Sequence, residues 1–403
     1  NKKFYEVKKI RIREEKIMCK NCQNKLVGKA PYRVDHVGSF LRPKELVEAR
    51  AKFIAGEITQ EELTKAEDKA IAELVEKQIA NGLKGVTDGE FRRAYWHLDF
   101  FWGLNGVEHT QAKVGYQFHD ETTKPDSADV VGKISGENHP FVEHYKFLRD
   151  LVGDRAEVKQ TIPAPAQFYF ELIRDEEHIA QTNSIYPNKE ELFADIIAAY
   201  KQVIKEHYDA GCRVIQLDDC TWGAIVDDRL IKLIAEGSGF DPEGIRETFK
   251  KEFITLNNGI LTDLPEDLVV NTHICRGNYH STWASSGGYD SVADTLFGEE
   301  NVNAYYLEYD TDRAGDFKPL AKVGNDKKVV LGLLTSKSGK LENKDEVIAR
   351  IREASEYVPL ENIYLSTQCG FASTEEGNIL TEEDQWKKIA LISEIAQEVW
   401  GDK

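Results

Sequence analysis

From Lys29 to the C-terminus, short segments rich in β-branched and aromatic residues alternate with longer amphipathic stretches. The rhythm predicts eight strands, at Tyr32–Ser39, Gly85–Glu90, Ala156–Pro165, Arg213–Asp219, Leu268–Cys275, Val302–Tyr309, Lys328–Leu334 and Ile363–Gln368. Apolar residues at helical spacing fill the intervals, for example Gln60–Ala80, Glu190–Ala210 and Glu382–Trp400. Strands separated by helices pair in parallel, since each return crossing consumes the helix. Eight such units close into an α/β TIM (β/α)8 barrel. At 403 residues the chain leaves room for an insertion after the second strand, and Trp96–Gly136, rich in aromatic, glycine and polar residues, predicts a hairpin or long loop over one end. The expected organisation is a leader or tail over residues 1–30 and a single barrel over 31–403.

Composition excludes several classes of protein. No apolar run approaches the roughly 20 residues needed to span a bilayer, so no membrane partner is expected. Asn1–Ile17 mixes acidic and basic residues without an apolar centre, unlike a secretory signal. A net charge of −18 argues against a nucleic-acid backbone as partner, which requires a clustered basic face. Six cysteines over this length make no disulfide scaffold, so a cytoplasmic location is expected. Cys19 and Cys22 form an isolated C-x-x-C, read as structural or incidental, and Met18, the only methionine, marks residues 1–17 as upstream of the fold.

Chemistry gathers at the strand ends. Val269–Gly277 ends in His-Ile-Cys-Arg-Gly, and on a strand residues two apart point the same way, so His273 and Cys275 face one point. An imidazole and a thiolate together suit Zn²⁺, which binds nitrogen and sulfur tetrahedrally. Two further donors stand at the ends of later strands, Glu308 and Cys369. His273, Cys275, Glu308 and Cys369 are the predicted ligand set. A free thiol is mostly protonated at neutral pH, and coordination to Zn²⁺ removes that proton, so such a site suits activation of an incoming thiol.

The other strand ends supply His36, Gly38 and Ser39; Asp88, Gly89 and Glu90; Asp218 and Asp219; and Ser336 and Lys337. Glu90 and Asp218 are candidates to hold a substrate ammonium, or else ordinary partners of Arg92, Arg93 or Arg213. Ser39 follows a glycine that lets the backbone approach a carboxylate. Phe168, Tyr169 and Phe170 are read either as core or as a stacking face for a flat heterocycle, with Tyr169 the chosen contact.

These motifs together resemble the catalytic C-terminal barrel of cobalamin-independent methionine synthases and the shorter single-barrel proteins related to it. The similarity runs from about Pro31 to the C-terminus. It implies that His273, Cys275, Glu308 and Cys369 bind the catalytic zinc, and that Ser39, Glu90 and Asp218 hold homocysteine by its carboxylate and amine. It further implies methyl transfer to that thiol, forming methionine, with a methylated folate as donor. Two departures stand out. The chain has no room for the family's extra N-terminal barrel, which helps hold a polyglutamylated donor. Where the family carries a histidine after the seventh strand for proton transfer, this chain offers Lys337, with His36 as an alternative shuttle. Alkyl transfer to another thiol or from another donor, and a non-enzymatic zinc-binding barrel, are the competing readings.

Overall fold

The computed structural model describes residues 28–236 and 238–401; Met18 and the Cys19–Cys22 pair lie outside them. The described strands are β1 (Gly85–Val86), β2 (Asn105–Gln111), β3 (Asp126–Ser135), β4 (Glu157–Val158), β5 (Gln160–Pro163), β6 (Val214–Asp219), β7 (Val269–Ile274), β8 (Ala304–Glu308), β9 (Lys328–Leu334) and β10 (Ile363–Thr367). A parallel sheet runs β10-β9-β8-β7-β6-β5, and β4 pairs in parallel with β1. Because β4 and β5 are one strand interrupted at Lys159, they join the two ladders.

The first predicted strand survives as a single parallel bridge, Val34 to Leu365. Side chains and backbone then close the ring between it and β1. Thr87 Oγ1 donates to Gly38 O at 2.5 Å, and Phe40 N donates to Gly89 O at 3.2 Å. Eight strand positions in sequence order, with helices between them, make this a TIM-type barrel. Its closure at the first two positions relies on few ladder bonds because Gly38 and Gly89, both at positive φ, turn the backbone away early.

The insertion is an antiparallel hairpin, β2 with β3, as expected of Trp96–Gly136. Elsewhere the third strand ends sooner than predicted, because Pro165 opens the helix Pro165–Leu172, where its fixed φ and missing N–H fit the first turn. Short helices at Glu176–Ile185, Thr221–Ile225 and Asp228–Ala235 add to those the spacing foretold. The last helix runs Glu382–Trp400 as read, with a capping box between Thr381 and Asp384. No helix among the described residues is long and apolar enough to cross a membrane.

The barrel interior is polar at its centre. Buried Lys159 donates to Asp35 Oδ1 at 3.2 Å, and Tyr306 OH donates to Asp35 Oδ2 at 2.8 Å. Partnered this way, the buried charges avoid the penalty of an isolated ion. At the opposite rim from the site, Glu157 accepts from the backbone N–H groups of Gly28, Lys29 and Ala30 and from Tyr32 OH.

Close packing also fixes one glycine. The β9–β10 ladder carries a bulge between Ser366 and Thr367, opposite Gly332 and Leu334. A Cβ on Gly332 would lie 2.6 Å from Gln368 Cα and 2.8 Å from Leu307 O, both backbone atoms that cannot swing aside. Gly332→Ala is therefore expected to lower the urea midpoint by the equivalent of about 1–3 kcal/mol. Gly298→Ala, with nothing within 4 Å of its Cβ, should leave stability unchanged or slightly raised. Equal midpoints for the two variants would contradict this packing.

Candidate metal centre and substrate cleft

Three chain segments bring sulfur and nitrogen together at the mouth of the barrel. One ligand atom each from His273, Cys275 and Cys369 lies within 4.8 Å of the others, and all three residues are buried. The two sulfurs are 3.8 Å apart. Asn278, just past β7, holds the strand ends together: its Nδ2 donates to Gly370 O at 2.9 Å, and its Oδ1 accepts from Asn378 Nδ2 at 2.9 Å.

The donor set fits a borderline-soft metal ion. His273 Nδ1 lies 3.2 Å from Tyr306 O, which places the ring proton there, while Nε2 is buried without a hydrogen-bond partner. A metal-binding histidine is held this way, with one nitrogen fixed by a carbonyl and the other presenting its lone pair. Cys275 Sγ accepts from Gly277 N at 3.1 Å. Hydrogen bonds from the Cys220 and Cys369 thiols hold Cys275 well below the ordinary thiol range, against the effect of burial.

Glu308, the fourth predicted ligand, stands beside this trio rather than within it. Its Oε2 accepts from Arg276 N at 2.9 Å, its Oε1 from Arg313 Nη2 at 3.1 Å, and Lys337 Nζ lies 3.7 Å from Oε1. Lys337 is buried behind Glu308. Although burial works against its charge, Glu308 and Asp310 outweigh that and raise its pKa. The lysine thus sits beside the centre as a cation close to Glu308, and it does not line the cleft.

His36 also lies away from the reacting region. It is buried in the barrel, with Nε2 3.0 Å from Gly85 O and its ring against Phe40. Burial, helped by Lys159, drives its pKa from the ordinary 6.5 down to about 3. Strand alternation gave its position in the chain but not its depth.

A cleft of about 270 Å³ opens over the thiols. Ser39, Glu90 and Asp218 line it together with His273, Cys275 and Cys369. Glu90 adopts φ 61°, an uncommon conformation for a side chain of this kind, and Arg42 Nη2 pins its carbonyl at 2.8 Å. Its Oε1 accepts from Thr161 Oγ1 at 2.8 Å and lies 3.3 Å from Arg93, while Oε2 is buried without a partner. Burial, and the nearby charge of Glu90, push Asp218 up to about 7. Two carboxylates held close together out of water favour a cation between them.

The aromatic wall is not the predicted one. Tyr169 packs on Phe193, 4.9 Å between ring centres, and Phe170 faces the cleft instead, because successive helical residues diverge by about 100° around the axis. Trp96, His97, Tyr116 and Phe118, from the insertion and its approach, complete that wall. The hairpin tip is latched over the cleft by His119 N donating to Trp283 O at 2.7 Å and by His280 Nδ1 2.9 Å from Glu121. Cys220 was missed by sequence reasoning. The signal was its place directly after Asp218 and Asp219, at the same strand end.

A (β/α)8 barrel with a possible His/Cys/Cys metal site at the C-terminal ends of its strands, beneath an acidic and aromatic cleft, has its chemistry where barrel enzymes carry their active sites. Among such enzymes, the chain belongs to the family described as cobalamin-independent synthase, catalytic domain, whose model matches residues 34–390. This makes it a methionine-synthase-like catalytic domain of methyltransferase type. The chain is 48% identical over 373 residues to protein YxjH of Bacillus subtilis (strain 168), covering 92% of this chain and 96% of that one. It is 25% identical over 342 residues to methionine synthase of Saccharolobus solfataricus, covering 83% and 86%. A crystal structure from Listeria monocytogenes, assigned to vitamin-B12 independent methionine synthase, superimposes with a TM-score of 0.70 at 38% identity, covering 93% of this chain and 99% of that one.

The depth of His36 has a measurable consequence. A histidine whose folded pKa is depressed contributes stability that is present above the unfolded value of 6.5 and is lost as pH falls toward 3. Between pH 7 and pH 5 the loss from His36 alone is about 2 kcal/mol. Urea titrations should therefore show wild type losing about 2 kcal/mol more than His36→Gln over that interval. Parallel losses in the two proteins would place His36 in contact with water.

Proposed function

We propose that this protein methylates the thiol of homocysteine to give methionine, with Zn²⁺ held by His273, Cys275 and Cys369. The observation that supports this most is the convergence of those three residues at the floor of a cleft that also carries Ser39, Glu90 and Asp218. Bound zinc supplies one thing, a substrate sulfur present as thiolate at neutral pH.

The chain's own residues place that sulfur. Glu90, through its unpartnered Oε2, and Asp218 accept the substrate ammonium, which relieves their mutual repulsion. Ser39 meets the carboxylate; its hydroxyl, held against the β10 loop by Ala372 N at 3.2 Å, is already oriented. Glu308, tied to Arg276 and Arg313, together with the cation of Lys337, balances charge around the thiolates. Fixing both ends of the amino acid leaves its sulfur little freedom except toward the cluster, which is where orientation lowers the barrier.

The methyl donor occupies the outer half of the cleft. Trp96, Tyr116, Phe118 and Phe170 offer flat apolar surfaces suited to a heterocycle, and a methylated folate is the donor we propose. With His36 and Lys337 both set back from that wall, the leaving amine takes its proton from water. Three thiols kept unpaired at one site suit a reducing compartment, in keeping with a cytoplasmic enzyme.

Zinc-replete protein incubated with homocysteine and a panel of donors (methylated folates, methylcobalamin and methylsulfonium compounds) should release methionine with at least one of them. Methionine from none of the panel would contradict the reaction. Glu90→Gln and Asp218→Asn should each lower kcat/KM for homocysteine roughly 10- to 100-fold, the worth of a charge-assisted hydrogen bond. Unchanged kcat/KM in both would remove these residues from substrate binding.

A further inference from the structure

Among the described residues, four buried polar side-chain atoms belong to the lining of the cleft and have no hydrogen-bond partner: Glu90 Oε2, His97 Nδ1, His273 Nε2 and Thr374 Oγ1. The reaction proposed above gives Glu90 to the substrate ammonium and His273 to the metal. His97 and Thr374, 4% and 5% exposed, are left without a task. A polar atom kept dry and unpaired beside a cavity is costly unless a ligand pairs with it.

Both residues are held where they stand. The His97 ring packs on Trp96, 4.6 Å between ring centres, with Phe101 and Tyr116 steeply inclined to it at 5.7 and 5.1 Å. Its carbonyl accepts from Phe100 N and Phe101 N, both at 3.1 Å, which fixes the ring at the entry to a helical turn. The loop after β10 is zipped to this approach. Trp96 N donates to Ser373 O at 2.9 Å, Glu375 N donates to Ala94 O at 2.8 Å, and Thr374 lies opposite Tyr95 in an antiparallel bridge. The same loop reaches the thiols, since Ser373 Oγ stands 3.7 Å from Cys369 Sγ. Arg93 joins the aromatic wall to the amino-acid pocket, donating to Trp96 O at 3.2 Å and pairing with Glu90 at 3.3 Å. Nearby polar groups of the wall are already engaged: Tyr116 OH donates to Glu171 Oε2 at 2.7 Å, and Arg174 Nη1 to Glu171 Oε1 at 3.1 Å.

We propose that His97 and Thr374 read the edge of the methyl donor's heterocycle, each sharing one hydrogen bond with its N–H and C=O groups while Trp96 and the rings beside it take its face. This rests on the folate reading above and names two residues that select for it. Burial, with Arg174 nearby, lowers the His97 pKa from 6.5 to about 3, so the ring is neutral and offers one N–H and one lone pair. The Thr374 hydroxyl can donate or accept. A reduced pterin carries N–H and C=O groups side by side on a neutral ring, a pattern such a pair can satisfy. A methylsulfonium brings a fixed charge and no polar ring edge, and covering His97 and Thr374 with it leaves both unpaired. Stacking alone accepts any flat ring, so the two polar atoms make the wall selective. Neutral at working pH, His97 orients the donor and carries no proton to the leaving amine.

Tetrahydrofolate has the ring but no methyl group to transfer, and its calorimetric titration into the full, zinc-loaded chain tests this without an activity readout. His97→Phe keeps an aromatic ring and Thr374→Val keeps the side chain's shape, while each deletes the polar atom. Each should bind tetrahydrofolate roughly 10-fold more weakly than wild type. His97→Asn, which returns a polar atom near the Nδ1 position, should recover part of the loss. Wild-type affinity in either His97→Phe or Thr374→Val would overturn the pair and leave the folate reading standing. No binding of tetrahydrofolate to the wild-type chain would overturn both. A crystal structure of wild type with tetrahydrofolate decides the matter even if a variant folds poorly. A ring nitrogen or oxygen should lie within about 3.2 Å of His97 Nδ1 and another of Thr374 Oγ1; a ring seated in the cleft away from both atoms would contradict the proposal.

Discussion

Two sulfur atoms 3.8 Å apart, on residues 94 positions apart in the chain, are the contact on which the functional site depends. Cys275 follows β7 and Cys369 follows β10, strands that share no ladder, with β8 and β9 between them. Only curvature of the sheet toward closure brings such ends together. Side-chain amides across the mouth, Asn278 to Gly370 and Asn378 to Asn278, then hold the loops in place. The barrel is the means by which imidazole and thiol groups, each unremarkable alone, become neighbours.

Around that contact the charges form a graded arrangement. On the inner side Glu308 accepts from Arg276 N and from the Arg313 guanidinium, with Lys337 Nζ 3.7 Å away. Glu90 and Asp218 lie on the cleft side, and there the balance is incomplete: Glu90 Oε2 has no partner and Asp218 is pushed up to about 7, first by burial. Buried polar groups are normally paired, so an unpaired carboxylate facing a cavity marks where a ligand's charge belongs. The positive φ of Glu90 adds strain at the same place.

Much of this was legible in the sequence because periodicity and strand ends are local signals. The eight βα units, the hairpin insertion and the His-x-Cys pair all follow from spacing of two or of 3.6, and Ser39, Glu90 and Asp218 do line the cleft. What spacing cannot convey is depth and direction. His36 follows the first strand as expected, yet it lies inside the barrel. Tyr169 sits one residue from Phe170, and that single step on a helix turns it onto Phe193. Lys337 reads as a candidate proton carrier until Glu308 and Asp310 are seen beside it. Cys220 is adjacent in sequence to residues that were singled out, but its nearness to Cys275 depends on the register between β6 and β7, which no single strand reveals.

The central claim is that His273, Cys275 and Cys369 share one metal ion. Crystals of zinc-loaded protein, with anomalous diffraction data collected on either side of the zinc absorption edge, test it most directly. The account predicts a single strong anomalous peak lying between His273 Nε2 and the two sulfurs, within about 2.0–2.4 Å of each. A peak elsewhere on the molecule, with these three side chains uncoordinated, would contradict it.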